Sequence, residues 1–227
     1  SPGDAANADG TTEADAAAAD ADAADATPPP PPCSPGKSAW FSKSYPGGDH
    51  ARLDAVERVG EGVIAVGRAG NAGTKTDALI MRLSGYGQVV WQKTIGGDGE
   101  DQGHGVLPLS DDGGAGYLVA GWTKSAGEGG QDAWLIALAS DGEELWQKTY
   151  GGTANDIAAA IAAGPSNTAV LAGFDRSTDG GQEDGWLFAV SRTDGKALWQ
   201  RTYGGSSIDV LNDVAVSPTG LVAVGEN

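Results

Sequence analysis

The 227-residue chain contains one cysteine, two histidines and 14 basic residues against 31 acidic ones. Cys33 has no second cysteine to pair with, so no internal disulfide is expected. His50 and His104 lie in unrelated contexts, and no Cys/His cluster has the spacing of a zinc site. A net charge of −17 argues against nucleic acid as a partner. No apolar run reaches the roughly 18 residues of a membrane-spanning helix, so none is predicted.

Motifs of catalysis and cofactor binding are missing as well. The Gly-Gly-Asp-Gly segment at residues 96–99 is not followed by Gly-Lys-Ser/Thr and opens no helix, so a turn is favoured over a phosphate loop. The Gly-x-Ser-x-Gly motif of serine hydrolases does not occur. The sequence therefore predicts no catalytic residue, no cofactor and no metal ligand.

The first 36 residues differ in composition from the rest. They hold seven acidic residues and no Lys or Arg among mostly Ala, Pro, Gly, Ser and Thr. Such a segment buries too little apolar surface to offset the entropy of ordering, so residues 1–36 are predicted to be a disordered acidic spacer, stiffened by the prolines at 28–32. A short Ala-rich helix around residues 15–26 is the alternative. Residues 37–227 have the length of one all-β domain.

The sequence Trp-Gln-Lys/Arg-Thr-Ile/Tyr-Gly-Gly recurs at residues 91–97, 146–152 and 199–205, and loosely at 40–48. The recurrence divides the chain into units at 47–95, 96–150, 151–203 and a partial unit at 204–227. A period of about 50 residues is typical of solenoids and propellers.

Each unit contains four strand-like segments. The second is a continuous apolar run that predicts burial on both faces, as at residues 117–121 and 221–225. The fourth alternates in polarity, which is typical of an outer strand. Four antiparallel strands per unit predict an all-β fold, a β-propeller with about 3.5 to 4 blades in this chain. Because the last unit lacks a third strand, we expect this chain to be a fragment of a larger ring.

These repeats resemble those of bacterial β-propeller repeat proteins, in which Gly-Gly, Asp, Gly-Tyr-Leu-Val-Ala-Gly, Asp-Ala-Trp-Leu and Asp-Gly follow in order. The resemblance covers residues 40–227 and is strongest over 96–152. A more distant resemblance, through Ala189, Gly195, Lys196 and Trp199, is to the tryptophan-docking motif of quinoprotein-type propellers.

The resemblance implies an extracytoplasmic bacterial protein, located at the cell surface, outer membrane or periplasm, or secreted. The spacer would then connect the domain to a lipid anchor preceding Ser1, since no signal peptide is present in this chain. A cytosolic protein is the other interpretation of a missing signal peptide.

Carboxylates concentrate on one predicted face. In antiparallel units, the loops after strands two and four lie on the same side, and these loops carry 14 acidic residues against seven on the opposite side. The 14 are Asp49, Asp54, Asp77, Asp98, Glu100, Asp101, Glu128, Asp132, Asp156, Asp175, Asp179, Glu183, Asp184 and Asp209. Such residues suit Ca²⁺, but their repetition at strand starts favours a role in turns.

The recurring tryptophans are interpreted as packing between units, because their spacing follows the repeat; a carbohydrate-stacking ladder is the alternative. Trp122 differs, since it follows Gly121 into a predicted loop where other units have Arg68 or Phe174. The candidate ligand face therefore consists of Asp101, Trp122, Asp132, Asp156 and Asp184.

The expected function is a non-catalytic binding or scaffold module that presents this acidic face to a protein or polysaccharide. The alternative is an enzyme, either a quinoprotein-like oxidoreductase or a polysaccharide-active propeller, whose site lies outside this chain.

The spacer prediction has a direct test. Limited proteolysis should remove residues from the 1–36 segment before it cuts the repeats, because a disordered segment offers an accessible backbone. Mass spectrometry of the products measures the order of cleavage. Strong amide-exchange protection within residues 1–32 would contradict the prediction.

Overall fold

The computed structural model describes Tyr45 and residues 50–70, 75–110, 113–177 and 182–227. Its strands are β1 (Arg52–Val59), β2 (Gly62–Gly70), β3 (Thr76–Leu83), β4 (Val89–Ile95), β5 (Asp101–Pro108), β6 (Tyr117–Thr123), β7 (Asp132–Leu138), β8 (Glu144–Tyr150), β9 (Asp156–Ala163), β10 (Thr168–Asp175), β11 (Asp184–Ser191), β12 (Ala197–Tyr203), β13 (Val210–Ser217) and β14 (Gly220–Glu226). The predicted spacer lies outside the described residues.

The described part of the chain is all-β, as predicted, and within it no helix is long and apolar enough to cross a membrane. Within each sheet, strands that follow each other in the chain pair antiparallel. The first sheet contains β1–β4, the second β5–β8 and the third β9–β12, while β13 and β14 form a two-stranded sheet. Each four-stranded sheet coincides with one sequence unit, which confirms four strands per unit for three units. None of these sheets closes into a ring.

The second and third strands of the complete sheets are their most buried strands. β6 is buried along its whole length, and β10 is buried over residues 169–173. Such strands have apolar neighbours on both faces, which explains their continuous apolar sequences. The same expectation is wrong for residues 221–225, since Val222 and Val224 in β14 are 64% and 56% exposed. No further sheet in the described residues covers their side of β14.

The fourth strands form the exposed outer edges of the complete sheets, as their alternating sequences predicted. Leu145 in β8 and Leu198 in β12 are 58% and 50% exposed. The lysine and arginine residues of the repeated motif are exposed too, so these strands present a polar, charged edge that resists pairing with other chains.

The sheets pack face to face through three apolar clusters. One cluster joins the first and second sheets and contains Ile80 and Ile136. Another joins the second and third sheets and contains Leu135 and Phe188. A smaller cluster packs Val214 of the two-stranded sheet against the third sheet. Each complete sheet is therefore covered mainly by its neighbours in sequence.

Tryptophan side chains of the fourth strands dock on the next sheet. Trp91 Nε1 donates to the Ser140 carbonyl at 3.1 Å, and Trp146 Nε1 donates to the Thr193 carbonyl at 3.1 Å. In both places the indole covers a turn glycine with positive φ, Gly142 at 84° or Gly195 at 66°, where a Cβ would overlap the ring. The interpretation of these tryptophans as packing residues agrees with this geometry.

Trp199 does not fit that interpretation. It occupies the same place in the third sheet, but it is 41% exposed, and Tyr203 on the same strand is 48% exposed. Thr193 and Gly195, which contact the Trp146 indole, belong to the turn between strands three and four of the following sheet, and the two-stranded sheet has only strands one and two. The expectation that Trp199 is a buried packing residue is therefore wrong.

The uncovered side of β14 should bind hydrophobic dyes and promote self-association, because Val222 and Val224 form an exposed apolar strip beside an unpaired strand edge. The double substitution Val222→Lys and Val224→Lys is expected to lower both dye fluorescence and light scattering.

Leu145→Lys is the matched control, since Leu145 is similarly exposed on β8 but lies away from β14. It should change neither signal appreciably. A wild-type chain that remains monomeric and binds no dye would contradict this interpretation of β14.

Candidate functional site

Asp101 is the centre of a hydrogen-bond network that connects two loops. The side chain is fully buried at the start of β5. It accepts from the Gly97 amide at 2.9 Å, the Lys124 amide at 3.2 Å and the Ser125 hydroxyl at 2.6 Å, and also from the Thr123 hydroxyl. Both carboxylate oxygens are thus occupied by donors from the β4–β5 and β6–β7 loops.

Asp156 repeats this network in the third sheet. It is fully buried and accepts from the Gly152 amide at 2.7 Å, the Arg176 amide at 2.9 Å and the Ser177 hydroxyl at 2.9 Å. Ser177 also accepts from the Ala154 amide at 3.1 Å. The two networks hold the loops after strands two and four in fixed positions, which supports the predicted role of these aspartates in turns.

Asp132 and Asp184 begin the third strands of the second and third sheets and are buried. The Glu128 amide donates to Asp132 Oδ1 at 3.2 Å, whereas Asp132 Oδ2 is buried without a hydrogen-bond partner. Burial, followed by the nearby charge of Asp156, raises the pKa of Asp132. Burial and the charge of Asp101 raise the pKa of Asp77 in the first sheet.

Asp54 does not occupy the position that the sequence predicted for it. In the paired strands, Arg52 lies opposite Arg68 as Gln102 lies opposite Trp122, so the place of the repeated aspartate falls one residue earlier, at Ala51. Asp54 is instead the extra residue of a β-bulge. The other first strands have bulges at the same place, and their extra residues are His104, Ala159 and Asn212.

The bulges of the first two sheets bring together five side chains, the polar cluster: Asp54, Arg68, Gln102, His104 and Trp122. Arg68 donates to Gln102 Oε1 at 3.2 Å, and Gln102 Nε2 donates to Asp54 Oδ2 at 2.9 Å. Trp122 Nε1 donates to His104 Nε2 at 3.1 Å. The cluster therefore bridges the first and second sheets beside the loops that Asp101 fixes.

Trp122 lies inside β6 and is only 7% exposed, so the prediction that it enters a loop is wrong. The ammonium of Lys124 lies 5.6 Å from the centre of its ring, and Lys124 pairs with Glu100 at 2.5 Å. An indole N–H only donates, so His104 Nε2 accepts and carries no proton. Burial lowers the pKa of His104, against the opposing effect of Asp54.

The five residues of the predicted ligand face are not gathered in one pocket. Asp101 and Asp156 lie in separate networks, Asp132 and Asp184 begin two different strands, and Trp122 belongs to the polar cluster. The described residues include no group of three or more His, Cys, Asp or Glu that could hold a metal ion. The exposed acids of this face are other residues, such as Asp98, Glu100 and Glu128.

Sequence reasoning missed the polar cluster because its members come from two units and one of them, His104, depends on a bulge. The sequence did contain one indication of this cluster, because Arg68 and Trp122 occupy the same position of the repeat in different units.

No known protein-family model matches the chain, and no curated protein matches it significantly. The site is therefore described from its own geometry.

The two kinds of buried aspartate should respond oppositely to replacement by asparagine. Asp101→Asn places an amide NH₂ against existing donors, so we expect it to destabilise the fold by about 1–3 kcal/mol. Asp132→Asn removes a carboxyl group whose pKa is raised on folding. Such a group stabilises the fold when protonated, and this contribution is lost as the pH rises through its folded pKa.

Thermal melting between pH 3 and pH 8 checks this prediction. The Asp132→Asn variant should melt above the wild type at pH 8, and the difference should shrink as the pH falls toward the ordinary aspartate pKa of 3.8. Equal destabilisation by both variants at every pH would contradict the distinction between the fully hydrogen-bonded Asp101 and the incompletely bonded Asp132.

Proposed function

We propose that the sheets are blades of a β-propeller and that the chain is a non-catalytic binding or scaffold module. Three consecutive up-and-down sheets of four strands, packed face to face in chain order, support the propeller. In that architecture the first strands surround the axis, so the polar cluster would lie near the centre of the loop-rich face.

The observation that carries the binding function is the fixing of the loops by Asp101 and Asp156. Each buried carboxylate connects the loop before its strand to the loop after the neighbouring strand. Loops held in advance lose little conformational entropy when a partner binds, which favours affinity. The acids that fix the loops are buried, so a partner would meet the exposed acids around them.

Charge identifies the kind of partner. Asp98, Glu100 and Glu128 are exposed on this face, and a partner with complementary positive groups would be attracted and oriented by them. The proposed partner is a protein or polysaccharide with basic groups, and the proposed location is extracytoplasmic. The location rests on the resemblance of the repeats and on the acidic, proline-rich sequence of residues 1–36.

A charge-reversal experiment tests the acidic face. Binding of a lysine-rich peptide and of chitosan, a cationic polysaccharide, is measured for the wild type and for the variant Asp98→Lys with Glu128→Lys. We expect about tenfold weaker binding by this variant and a steep decrease with salt, because both substitutions reverse the local potential.

The variant Glu61→Lys with Glu143→Lys is the matched control. Both residues are exposed and lie in loops of the opposite side, and the change in net charge is the same. It should alter binding less than twofold. Equal losses in the two variants would show attraction by net charge alone and would overturn the proposal of a specific face, as would absence of binding to either probe.

A further inference from the structure

We infer that the polar cluster is a binding site for a carboxylate group of a basic polypeptide, bound by Arg68 and by the Nδ1–H of His104. The inference rests on the proposed binding function and narrows its partner from a protein or polysaccharide to a polypeptide. The site lies between the first and second sheets, both of which have four strands.

Polar residues at this place are not required to pack one sheet against the next. The cluster draws on three positions of the repeat: a first-strand residue, its partner at the end of the second strand, and the extra residue of the bulge. In that order they are Arg52, Arg68 and Asp54 in the first sheet, Gln102, Trp122 and His104 in the second, and Ile157, Phe174 and Ala159 in the third.

The third sheet thus has apolar residues at all three positions and keeps the same strand pairing. Replacing buried polar groups by apolar ones is often neutral or stabilising, so stability alone does not explain the polar residues of the first two sheets. Departures from a shared structural plan are expected at functional sites, and the polar cluster is such a departure.

The indole of Trp122 fixes the tautomer of His104. Trp122 Nε1 donates to His104 Nε2 at 3.1 Å, so Nε2 carries no proton. Burial lowers the pKa of His104, which favours the neutral ring, and a neutral imidazole without a proton on Nε2 has it on Nδ1. His104 is half-buried, and its Nδ1 has no hydrogen-bond partner among the described residues and is not fully enclosed. The Nδ1–H is therefore a donor that a ligand can use.

Arg68 is the second donor of the site. Its only hydrogen bond with a described residue goes to the neutral amide oxygen of Gln102 at 3.2 Å, and it forms no salt bridge with a described residue. The neighbouring Arg52, in contrast, is paired with Asp54. A guanidinium has five N–H donors in a planar fork that matches a carboxylate. Arg68 is therefore a half-buried cation with donors left for an anionic ligand.

Gln102 holds the two charged partners of the cluster in place. It is 3% exposed, and its amide is bonded at both ends: Oε1 accepts from Arg68, and Nε2 donates to Asp54 Oδ2 at 2.9 Å. Gln102 is thus a positioning residue. Because Arg68 is oriented before a ligand arrives, little conformational entropy is lost on binding.

The charges in and around the cluster select a carboxylate on an otherwise basic ligand. At the centre, Arg68 and Arg52 outnumber Asp54, whereas the loops of this face expose acids such as Glu100 and Glu128. A ligand that contacts both regions needs an anionic group for the centre and cationic groups for the loops. A basic polypeptide carries both, with its carboxylate at the C-terminus or on a side chain, whereas a polymer of cationic amino sugars has no carboxylate.

The test measures binding of three labelled lysine-rich peptides to the full chain by fluorescence anisotropy. The first peptide has an internal glutamine and a free C-terminal carboxylate, and the second is its C-terminal amide. The third is the amide with glutamate in place of the glutamine, so the first and third peptides have the same net charge.

We expect the first or the third peptide to bind about tenfold more tightly than the second, as for a charge-assisted hydrogen bond. The peptide that gains shows whether the carboxylate is C-terminal or on a side chain. This order is opposite to attraction by net charge, because the second peptide is the most positive and the chain has a net charge of −17.

Matched variants locate the contact. Arg68→Gln keeps a donor for Gln102 but removes the charge and the fork, so it should abolish the preference for a carboxylate. Arg58→Gln is the control, since Arg58 is exposed in β1, donates to the Gly60 carbonyl at 3.1 Å and gives the same change in charge. It should keep the preference of the wild type. Thermal melting checks that each variant folds.

Nitrogen NMR of the imidazole tests the second donor. His50 is the only other histidine, so His50→Gln leaves the signals of His104 alone. Near neutral pH the proton should be on Nδ1, and the Nδ1 resonance should shift with the preferred carboxylate peptide more than with the amide. A proton on Nε2, or equal shifts with the two peptides, would overturn the role of His104.

Equal binding of the three peptides, tightest binding of the second, or an unchanged preference in Arg68→Gln would overturn the inference and leave the proposed binding function intact. Absence of binding of all three peptides would overturn the proposed function and this inference with it.

Discussion

Each complete sheet of this protein is apolar on both faces, and this property governs the rest of the structure. A sheet of four strands with two apolar faces cannot be stable alone in water, so it depends on a neighbour on each side. The clusters between the sheets meet that requirement, and the indole groups of Trp91 and Trp146 bond each sheet to a hairpin turn of the next. Stability is therefore shared between adjacent units more than it belongs to any one of them.

The all-β class and the four strands per unit could be predicted because the repeat occurs in three complete units and one partial unit. Continuous apolar runs predicted the buried second strands of the complete sheets, and alternating polarity predicted the exposed fourth strands. Two errors occurred where a residue matched the repeat in sequence but lacked the usual neighbour. Trp199 and Val222 are examples, because burial depends on what covers a residue as well as on its type.

The site was harder to predict than the fold. Asp101, Asp132, Asp156 and Asp184 were identified by their repetition, and repetition points to the architecture that all units share. The polar cluster arises from differences between units, such as Arg68 against Trp122 or Asp54 against His104. The side-chain contacts between the first and second sheets depend on tertiary structure, and neither the hydrophobic period nor the motif spacing of the sequence predicts them.

The β-bulge in every first strand has a consequence for how such a chain can diversify. In a regular strand, side chains point alternately to the two faces of the sheet. Replacing an apolar residue with a polar one, or the reverse, therefore disturbs the packing on one face. The extra residue of a bulge is released from that alternation. The extra residue is different in each of the four described first strands, while the surrounding strand pairs keep the same register: Asp54, His104, Ala159 and Asn212. The residue at the bulge can therefore change its chemical type while the register of the strands stays the same.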